Sequence, residues 1–210
     1  MYDWNLNIEK LKKTITKKTK AIIATHIYNY PCRVDIIKRI CDQKNILLIE
    51  DCAEAIGQKI FNKKCGSFGH ISVFSFYANK QITTGEGGMI TTNSKLFEKK
   101  ARSLRNLSFG VKNRFNHTDV AWNYRLTNIQ ASLGLSQLQR VNTIIKKRHR
   151  VGKLYYEKLK IVSITKVKKT LLIVKNWFFI FFKLVSFNLF KYFFNRLFIN
   201  KLVLFKVLKK

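Results

Sequence analysis

One lysine and one aspartate, each placed after an apolar run, have the side chains best suited to do chemistry in this chain. Lys80 follows the run at 71–76 and precedes a glycine-rich loop at 85–88. Asp51 closes a second run, which begins at residue 46. Runs of this length are typical of buried parallel strands, whose carboxyl ends collect ligands at one edge of a sheet. We therefore expect the Lys80 amine and the Asp51 carboxylate to face one pocket.

This pair of side chains is what pyridoxal phosphate (PLP) requires. A lysine amine forms an imine with the cofactor's aldehyde, and a carboxylate keeps the pyridine nitrogen protonated so that the ring can act as an electron sink. Each residue also has a simpler interpretation. Lys80 is one of many lysines, which are mostly surface residues, and Asp51 could merely cap the next element.

Four motifs, in order, resemble one family. They lie at 49–57 (Ile-Glu-Asp-Cys-Ala-Glu-Ala-Ile-Gly), 74–76 (Phe-Ser-Phe), 79–89 (around Lys80) and 123–128 (Asn-Tyr-Arg-Leu-Thr-Asn). Together they resemble the sugar-nucleotide aminotransferases of the DegT/DnrJ/EryC1/StrS family, most of all its perosamine synthase branch. The resemblance covers residues 1 to 160. Asn29 departs from it, because the family usually has Gly there.

The resemblance implies an α/β fold, the large domain of a fold type I PLP enzyme, working as a homodimer with active sites at the subunit interface. It implies that Lys80 carries the cofactor and that Asp51 pairs with the ring nitrogen. Glu54 would lie near the ring hydroxyl, Ser75 would contact the phosphate, and Asn123 would reach the phosphate of the neighbouring subunit. The implied substrates are a nucleotide-linked keto sugar and glutamate as amino donor.

The same resemblance predicts a fragment. The family's glycine-rich turn and helix start, which hold most of the cofactor phosphate, precede the point that matches Met1. Residues 1–160 are predicted to be a partial PLP-binding large domain, and 161–210 a degenerate or frameshifted basic, aromatic tail. In that tail the apolar stretch at 177–190 is short for a membrane span, and contact with a membrane surface is the alternative. The fragment is expected to be inactive alone.

Alternating apolar segments predict the elements that position these side chains. Strands are expected at 21–26, 46–49, 71–76 and 88–92, and a helix at 33–44, which together indicate an α/β fold with a mostly parallel sheet. His26, at a strand end, is interpreted as a satisfied core histidine. A helix at 94–104 should begin with Ser94 as N-cap.

Apolar spacing also predicts which helix faces point inward. The helix at 94–104 should bury Leu96, Phe97 and Ala101. A long helix, either continuous or broken, is expected at 127–159 and should bury an apolar face. Its expected members are Ile129, Leu133, Leu135, Leu138 and Val141.

Charge and cysteine content bound the other functions. The chain has 41 Lys and Arg against 11 Asp and Glu, a net charge of +30. A basic binding protein for nucleic acid or an anionic membrane surface is therefore the alternative function, but the lysines are scattered, as on a solvated surface. The four cysteines lack Cys-x-x-Cys spacing, so we expect no metal site. They fit reduced thiols in a cytoplasmic protein.

Overall fold

The computed structural model describes residues 4–159. The chain divides into two compact units, Met1–Ile145 and Lys146–Lys210, and only the first fourteen residues of the second unit are described. The predicted tail at 161–210 lies outside the described residues. None of the described helices is both long and apolar enough to span a bilayer.

The predicted strands and helices occur in the order predicted, and a short first helix, two short strands and a 3-10 turn occur in addition. The helices are α1 (Ile8–Thr14), α2 (Val34–Gln43), α3 (Lys95–Arg105), α4 (Asn128–Gln139) and α5 (Val141–Leu159), with a 3-10 turn at Ile27–Asn29. The strands are β1 (Ala21–Thr25), β2 (Leu47–Asp51), β3 (Lys59–Ile60), β4 (Lys63–Lys64), β5 (Ile71–Ser75) and β6 (Gly88–Thr91).

A four-stranded sheet in the order β1-β2-β5-β6 forms the frame of the first unit. β1, β2 and β5 run parallel, and β6 is antiparallel to β5. The α/β fold with a mostly parallel sheet is thus confirmed. Because Thr25 pairs with Asp51, and Asp51 with Val73, the carboxyl ends of these three strands meet at one edge.

The core lies between this sheet and α2. Ile22, Ala24 and Leu48 point from alternate strand positions to the covered face and are buried. α2 places Ile37 and Cys41 against them, four residues apart on one helix face. On the other face of the sheet, Ile23 is 59% exposed and Ile90 is 54% exposed.

The α3 prediction is partly confirmed. Ser94 caps the helix, and its hydroxyl accepts from the Phe97 N–H at 3.3 Å. Phe97 and Ala101 are half-buried, but Leu96 is 73% exposed and its assignment was wrong. Leu96 lies about 100° around the helix from Phe97, outside the half-buried stripe that contains Phe97 and Ala101.

The apolar face predicted for the long helix was wrong for all but its last member. The segment is broken, since α4 and α5 meet at Arg140. Yet the α4 side chains named as inward are all more than half exposed, namely Ile129, Leu133, Leu135 and Leu138. Val141, which begins α5, is half-buried. The inward stripe of α4 is Gln130, Gly134 and Gln137, because this helix packs on a loop of polar backbone.

Candidate active site

Lys80 lies on a loop that leaves β5 and folds back on itself. Its N–H donates to the Tyr77 carbonyl at 3.0 Å. Gly85 and Gly87 have φ of 79° and 140°, values that glycine adopts without steric cost, so these glycines allow the loop to turn tightly. The Lys80 side chain is 16% exposed, and its Nζ lies 3.4 Å from Oε1 of Glu54. The loop thus holds a mostly buried amine beside a carboxylate.

Asp51 uses its two carboxylate oxygens differently. Oδ1 accepts from the Ala53 N–H at 3.0 Å, which closes a local turn. Oδ2 accepts from the Thr25 hydroxyl at 3.4 Å. A purely capping role was the alternative interpretation of Asp51. The carboxylate does close a turn, but with one oxygen, while the other faces the end of β1.

Ser75 shares a face and an edge of the sheet with Asp51. Asp51 is paired with Val73, and side chains two residues apart on a strand lie on the same face, about 7 Å apart. The Ser75 hydroxyl oxygen accepts from the Tyr77 N–H at 3.3 Å. A carboxylate and a hydroxyl therefore lie at the sheet edge from which the Lys80 loop departs.

Glu54 joins the Lys80 loop to the segment that follows β1. Its Oε2 accepts from the Tyr28 N–H at 2.8 Å, while Oε1 faces Lys80. Gln81, which is buried, donates from Nε2 to the Glu54 carbonyl at 2.8 Å and to Asn29 Oδ1 at 3.2 Å. Sequence reasoning overlooked Gln81, because a single amide beside a lysine has no distinctive pattern.

The turn held by Glu54 is left-handed. Tyr28 has φ of 52° and Asn29 has φ of 63°. Most residues adopt this conformation at a cost of about 1–2 kcal/mol, and Asn tolerates it better than most. Asn29, where the resemblance implies Gly, has a backbone conformation for which Gly is suited, and its side chain provides an acceptor for Gln81.

A buried pair, His26 and Glu50, ties β1 to β2 directly beneath Thr25 and Asp51. Both side chains are fully buried. His26 Nδ1 accepts from the Cys32 N–H at 3.1 Å, so its Nε2–H is the donor to Glu50 Oε1 at 3.0 Å. This confirms the interpretation of His26 as a satisfied core histidine. The network itself was not predicted, although a Glu within a buried strand is a signal for a paired charge.

Glu50 also organises the loop before β5. It accepts backbone N–H groups from Gly66 at 2.5 Å and from Phe68 and Gly69 at 3.0 Å each. Burial acts to raise the pKa of Glu50, but the hydrogen bonds from His26 and from these amides outweigh it and lower the pKa. The carboxylate is therefore ionised and saturated with donors.

The hydrogen bonds made by Glu50 and His26 determine the role of a neighbouring cluster of side chains. His26, Glu50 and Cys52 bring ligand-type atoms within 4.8 Å of one another. Both His26 nitrogens and both Glu50 oxygens are already engaged in hydrogen bonds. The trio is accordingly a hydrogen-bonded core.

The cysteines pack in the interior. Cys32, Cys41, Cys52 and Cys65 are buried thiols. Burial raises the pKa of Cys41 to about 11 and that of Cys65 to about 12, and it also raises the pKa of Cys52. The thiols of Cys41, Cys52 and Cys65 are therefore protonated at neutral pH and poorly nucleophilic.

Asn123 is positioned through a different set of contacts. It forms an isolated antiparallel bridge with Asn106, and its Oδ1 accepts from the Arg125 N–H at 3.4 Å. The residue is exposed. Its reach to a neighbouring subunit therefore stays a prediction.

Comparison with known proteins shows which family shares these features. A model of the DegT/DnrJ/EryC1/StrS aminotransferase family matches residues 1–190. The chain is 44% identical over 154 residues to a GDP-perosamine synthase of Vibrio cholerae. The matched stretch covers 73% of this chain and 42% of that protein.

Solved structures agree with the sequence comparison. The chain superposes on Helicobacter pylori PseC, an aminotransferase involved in the biosynthesis of pseudoaminic acid, with a TM-score of 0.70 and 33% identity, over 75% of this chain and 43% of that one. An E. coli GDP-4-keto-6-deoxy-D-mannose-3-dehydratase with bound hydrated PLP gives a TM-score of 0.68 and 27% identity, over 75% and 45%. The chain spans less than half the length of each of these relatives.

Proposed function

Because the chain belongs to the DegT/DnrJ/EryC1/StrS aminotransferase family, we propose that it is part of a PLP-dependent enzyme that aminates a nucleotide-linked keto sugar. Glutamate is the proposed amino donor. Identity to a GDP-perosamine synthase favours a GDP-linked sugar. The observation that supports this proposal is the mostly buried Lys80 amine, which lies 3.4 Å from Glu54 on the loop that follows the strand paired with Asp51.

The chemistry of these side chains fits PLP. A primary amine, a carboxylate and a hydroxyl at one edge suit an aldehyde, a pyridine nitrogen and a phosphate, respectively. In this assignment Lys80 would hold the cofactor covalently and Asp51 would pair with its ring nitrogen. Glu54 would lie near its ring hydroxyl, Ser75 would contact its phosphate, and Asn123 would contact the phosphate in a partner subunit of a homodimer. When bound, PLP supplies an electron sink for bond cleavage at the amine-bearing carbon.

The residues of this chain would then orient groups and move protons. The Asp51 carboxylate would keep a proton on the ring nitrogen, while its Oδ1 bond to Ala53 fixes its orientation. Lys80 Nζ, once released, would take the proton from the donor's α-carbon and return one to the sugar carbon. Glu54 is fixed by Tyr28 and would orient the Lys80 amine between these transfers.

We further propose that residues 1–160 form the cofactor-binding part and that the 210-residue chain alone binds PLP weakly and shows no measurable turnover. Ser75 and a partner's Asn123 are the only phosphate contacts assigned within these residues. Charge-assisted hydrogen bonds are worth roughly 1.5–3 kcal/mol each, so a phosphate held by two neutral groups is bound far less tightly than one in a full cradle.

Optical titration tests this proposal. PLP is added to the chain, to Lys80→Ala and to Lys99→Ala, which removes an exposed lysine from α3. We expect a weak, saturable absorption change that the Lys80 variant lacks and the Lys99 variant retains. Identical titrations for all three chains would overturn the assignment of Lys80. Measurable amination of a GDP-linked keto sugar would overturn the proposed inactivity of the fragment.

A further inference from the structure

Helix α4 turns a polar stripe toward the domain and its leucines outward. Gln130, Gly134 and Gln137, at spacings of four and three residues, are half-buried, whereas Ile129 and Leu133 are exposed. A surface helix ordinarily buries its apolar side. The reversal implies that the inward stripe serves a specific polar contact.

That contact is made by Gln137 with the backbone of Thr83. Its Nε2 donates to the Thr83 carbonyl at 2.7 Å, and its Oε1 accepts from the Thr83 N–H at 3.2 Å. A primary amide carries a donor and an acceptor side by side, so it pairs with a peptide group as a neighbouring strand would. The two bonds together also fix which amide atom is nitrogen, because exchanging them would oppose like groups.

Two further residues of the stripe hold the same loop. Gly134 lies so close that an added Cβ would come 2.9 Å from Cγ2 of Thr84. Thr84 is buried and its hydroxyl donates to the Glu86 carbonyl. Gln130 donates to that same carbonyl at 3.3 Å. α4 therefore contacts the loop at Thr83, Thr84 and Glu86.

The segment that α4 contacts continues directly from the Lys80 turn. Thr83 follows Lys80 by three residues, and its hydroxyl donates to the Phe76 carbonyl at 3.0 Å. The Thr84 N–H donates to the same carbonyl at 2.9 Å. The two ends of the Lys80 turn are thus joined at the Phe76 carbonyl, directly after β5, and the carboxyl end is also held by α4 through Gln137.

We propose that Gln137 is a positioning residue, which acts through the Thr83 backbone to keep the Lys80 amine against Glu54. It acts on the loop, so it is not a catalytic residue. The consequence for catalysis rests on the proposed function of Lys80. The contact between Gln137 and the Thr83 backbone does not rest on that function and can be measured without cofactor.

Hydrogen exchange of the Thr83 amide measures its contact with Gln137 directly. Gln137→Leu removes both bonds at similar volume, and Gln139→Leu makes the same change at an exposed position of the same helix. Loss of the acceptor for the Thr83 N–H should raise its exchange rate by about tenfold or more. Exchange at Leu48 in the core strand β2 should not change, and Gln139→Leu should leave both amides unchanged.

Amine footprinting measures the effect on Lys80. A water-soluble acetylating reagent, followed by mass spectrometry, gives the labelling rate of Lys80 relative to that of exposed Lys99. The ratio should rise several-fold in Gln137→Leu, because Lys80 is 16% exposed in the intact loop. Gly134→Ala should also raise this labelling ratio, because the added Cβ would displace Thr84. If Gln137→Leu fails to fold, the labelling of Gly134→Ala tests the proposal.

The outcomes separate this inference from the proposed function. Faster exchange at Thr83 together with faster labelling of Lys80 supports the inference. Unchanged exchange at Thr83, or unchanged labelling of Lys80 despite a released loop, overturns it. Reductive trapping with PLP and borohydride is run on the same proteins. Absence of a Lys80 adduct in the unsubstituted chain counts against the proposed function, while exchange and footprinting still decide the role of Gln137.

Discussion

Glu54 links Lys80 to the left-handed turn at Tyr28. One carboxylate oxygen lies 3.4 Å from the Lys80 Nζ, and the other accepts the Tyr28 N–H at 2.8 Å. Both contacts need an acceptor. A carboxylate offers two acceptor oxygens, whereas an amide offers one oxygen and one donor. The choice of Glu at this position is therefore explained by the groups on either side of it.

Replacing Glu54 by Gln should weaken this link. Gln can accept from Tyr28 or from Lys80 but not from both, so one contact is lost. We expect the free energy of unfolding to fall by about 0.5–1.5 kcal/mol, measured by urea denaturation. Glu157→Gln, which changes an exposed glutamate on α5, is the control. Equal stability of Glu54→Gln and the parent would show that the two contacts do not act together.

The left-handed turn makes a second prediction, at Asn29. Asn29→Ala places a residue with a Cβ and no compensating side-chain bond at φ 63° and should cost about 1–2 kcal/mol in thermal or urea unfolding. Asn29→Gly removes the steric cost and loses only the contact with Gln81, so it should be the more stable of the two. If the alanine variant is as stable as the glycine variant, the turn is not left-handed in solution.

Glu50 should make the chain sensitive to acid. Its folded-state pKa is lowered from the ordinary value of 4.5. The unfolded chain therefore binds the proton at higher pH than the folded chain does. The stabilisation from ionised Glu50 is complete above about pH 4.5 and is lost as the pH falls through the lower folded value.

The measurement is the free energy of urea unfolding at a series of pH values. Glu50→Gln should reduce the acid-dependent loss. It should also lower stability at neutral pH by about 1.5–3 kcal/mol for each charge-assisted hydrogen bond lost, because the amide NH2 group of Gln faces backbone donors. Glu98→Gln, at a partly exposed glutamate whose pKa is lowered first by its hydrogen bond to Arg102, should leave stability at neutral pH nearly unchanged. An acid profile unaffected by Glu50→Gln would contradict the buried network.

The thiols should be inert in the folded chain. Cys41 and Cys65 have pKa values raised by burial to about 11 and about 12. At pH 8 an aromatic disulfide reagent should release almost no thiolate product from the native chain and four equivalents after denaturation, because the chain has four cysteines. Rapid reaction of any one thiol before denaturation would show that the core around it opens.

The strands and their order along the chain were predictable because each apolar run is short and ends at polar or glycine residues. The placement of Asp51 and Ser75 at one edge of the sheet follows from the predicted strands, since parallel strands bring their carboxyl ends together. The convergence of Lys80 and Asp51 on one pocket stays a prediction. Which face of α4 points inward was not predictable. Apolar spacing shows that a helix has leucines on certain faces, but the inward face here is set by hydrogen bonds from Gln137 to a loop 54 residues away in sequence.

The supporting contacts of the site were missed for the same physical reason. Glu50 is bonded to His26, 24 residues away, and to backbone amides around Phe68. Gln81 reaches Asn29 across 52 residues. Such pairings depend on strand register and loop shape, which the local sequence pattern does not specify.

Covalent trapping at Lys80 tests the central claim most directly. The chain is incubated with PLP, reduced with borohydride and digested, and the modified lysine is identified by mass spectrometry, with Lys80→Ala and Lys99→Ala in parallel. We predict that the adduct forms preferentially at Lys80, disappears in Lys80→Ala and persists in Lys99→Ala. Adducts spread evenly over the surface lysines, with no preference for Lys80, would contradict the claim that this loop and sheet edge form a cofactor site.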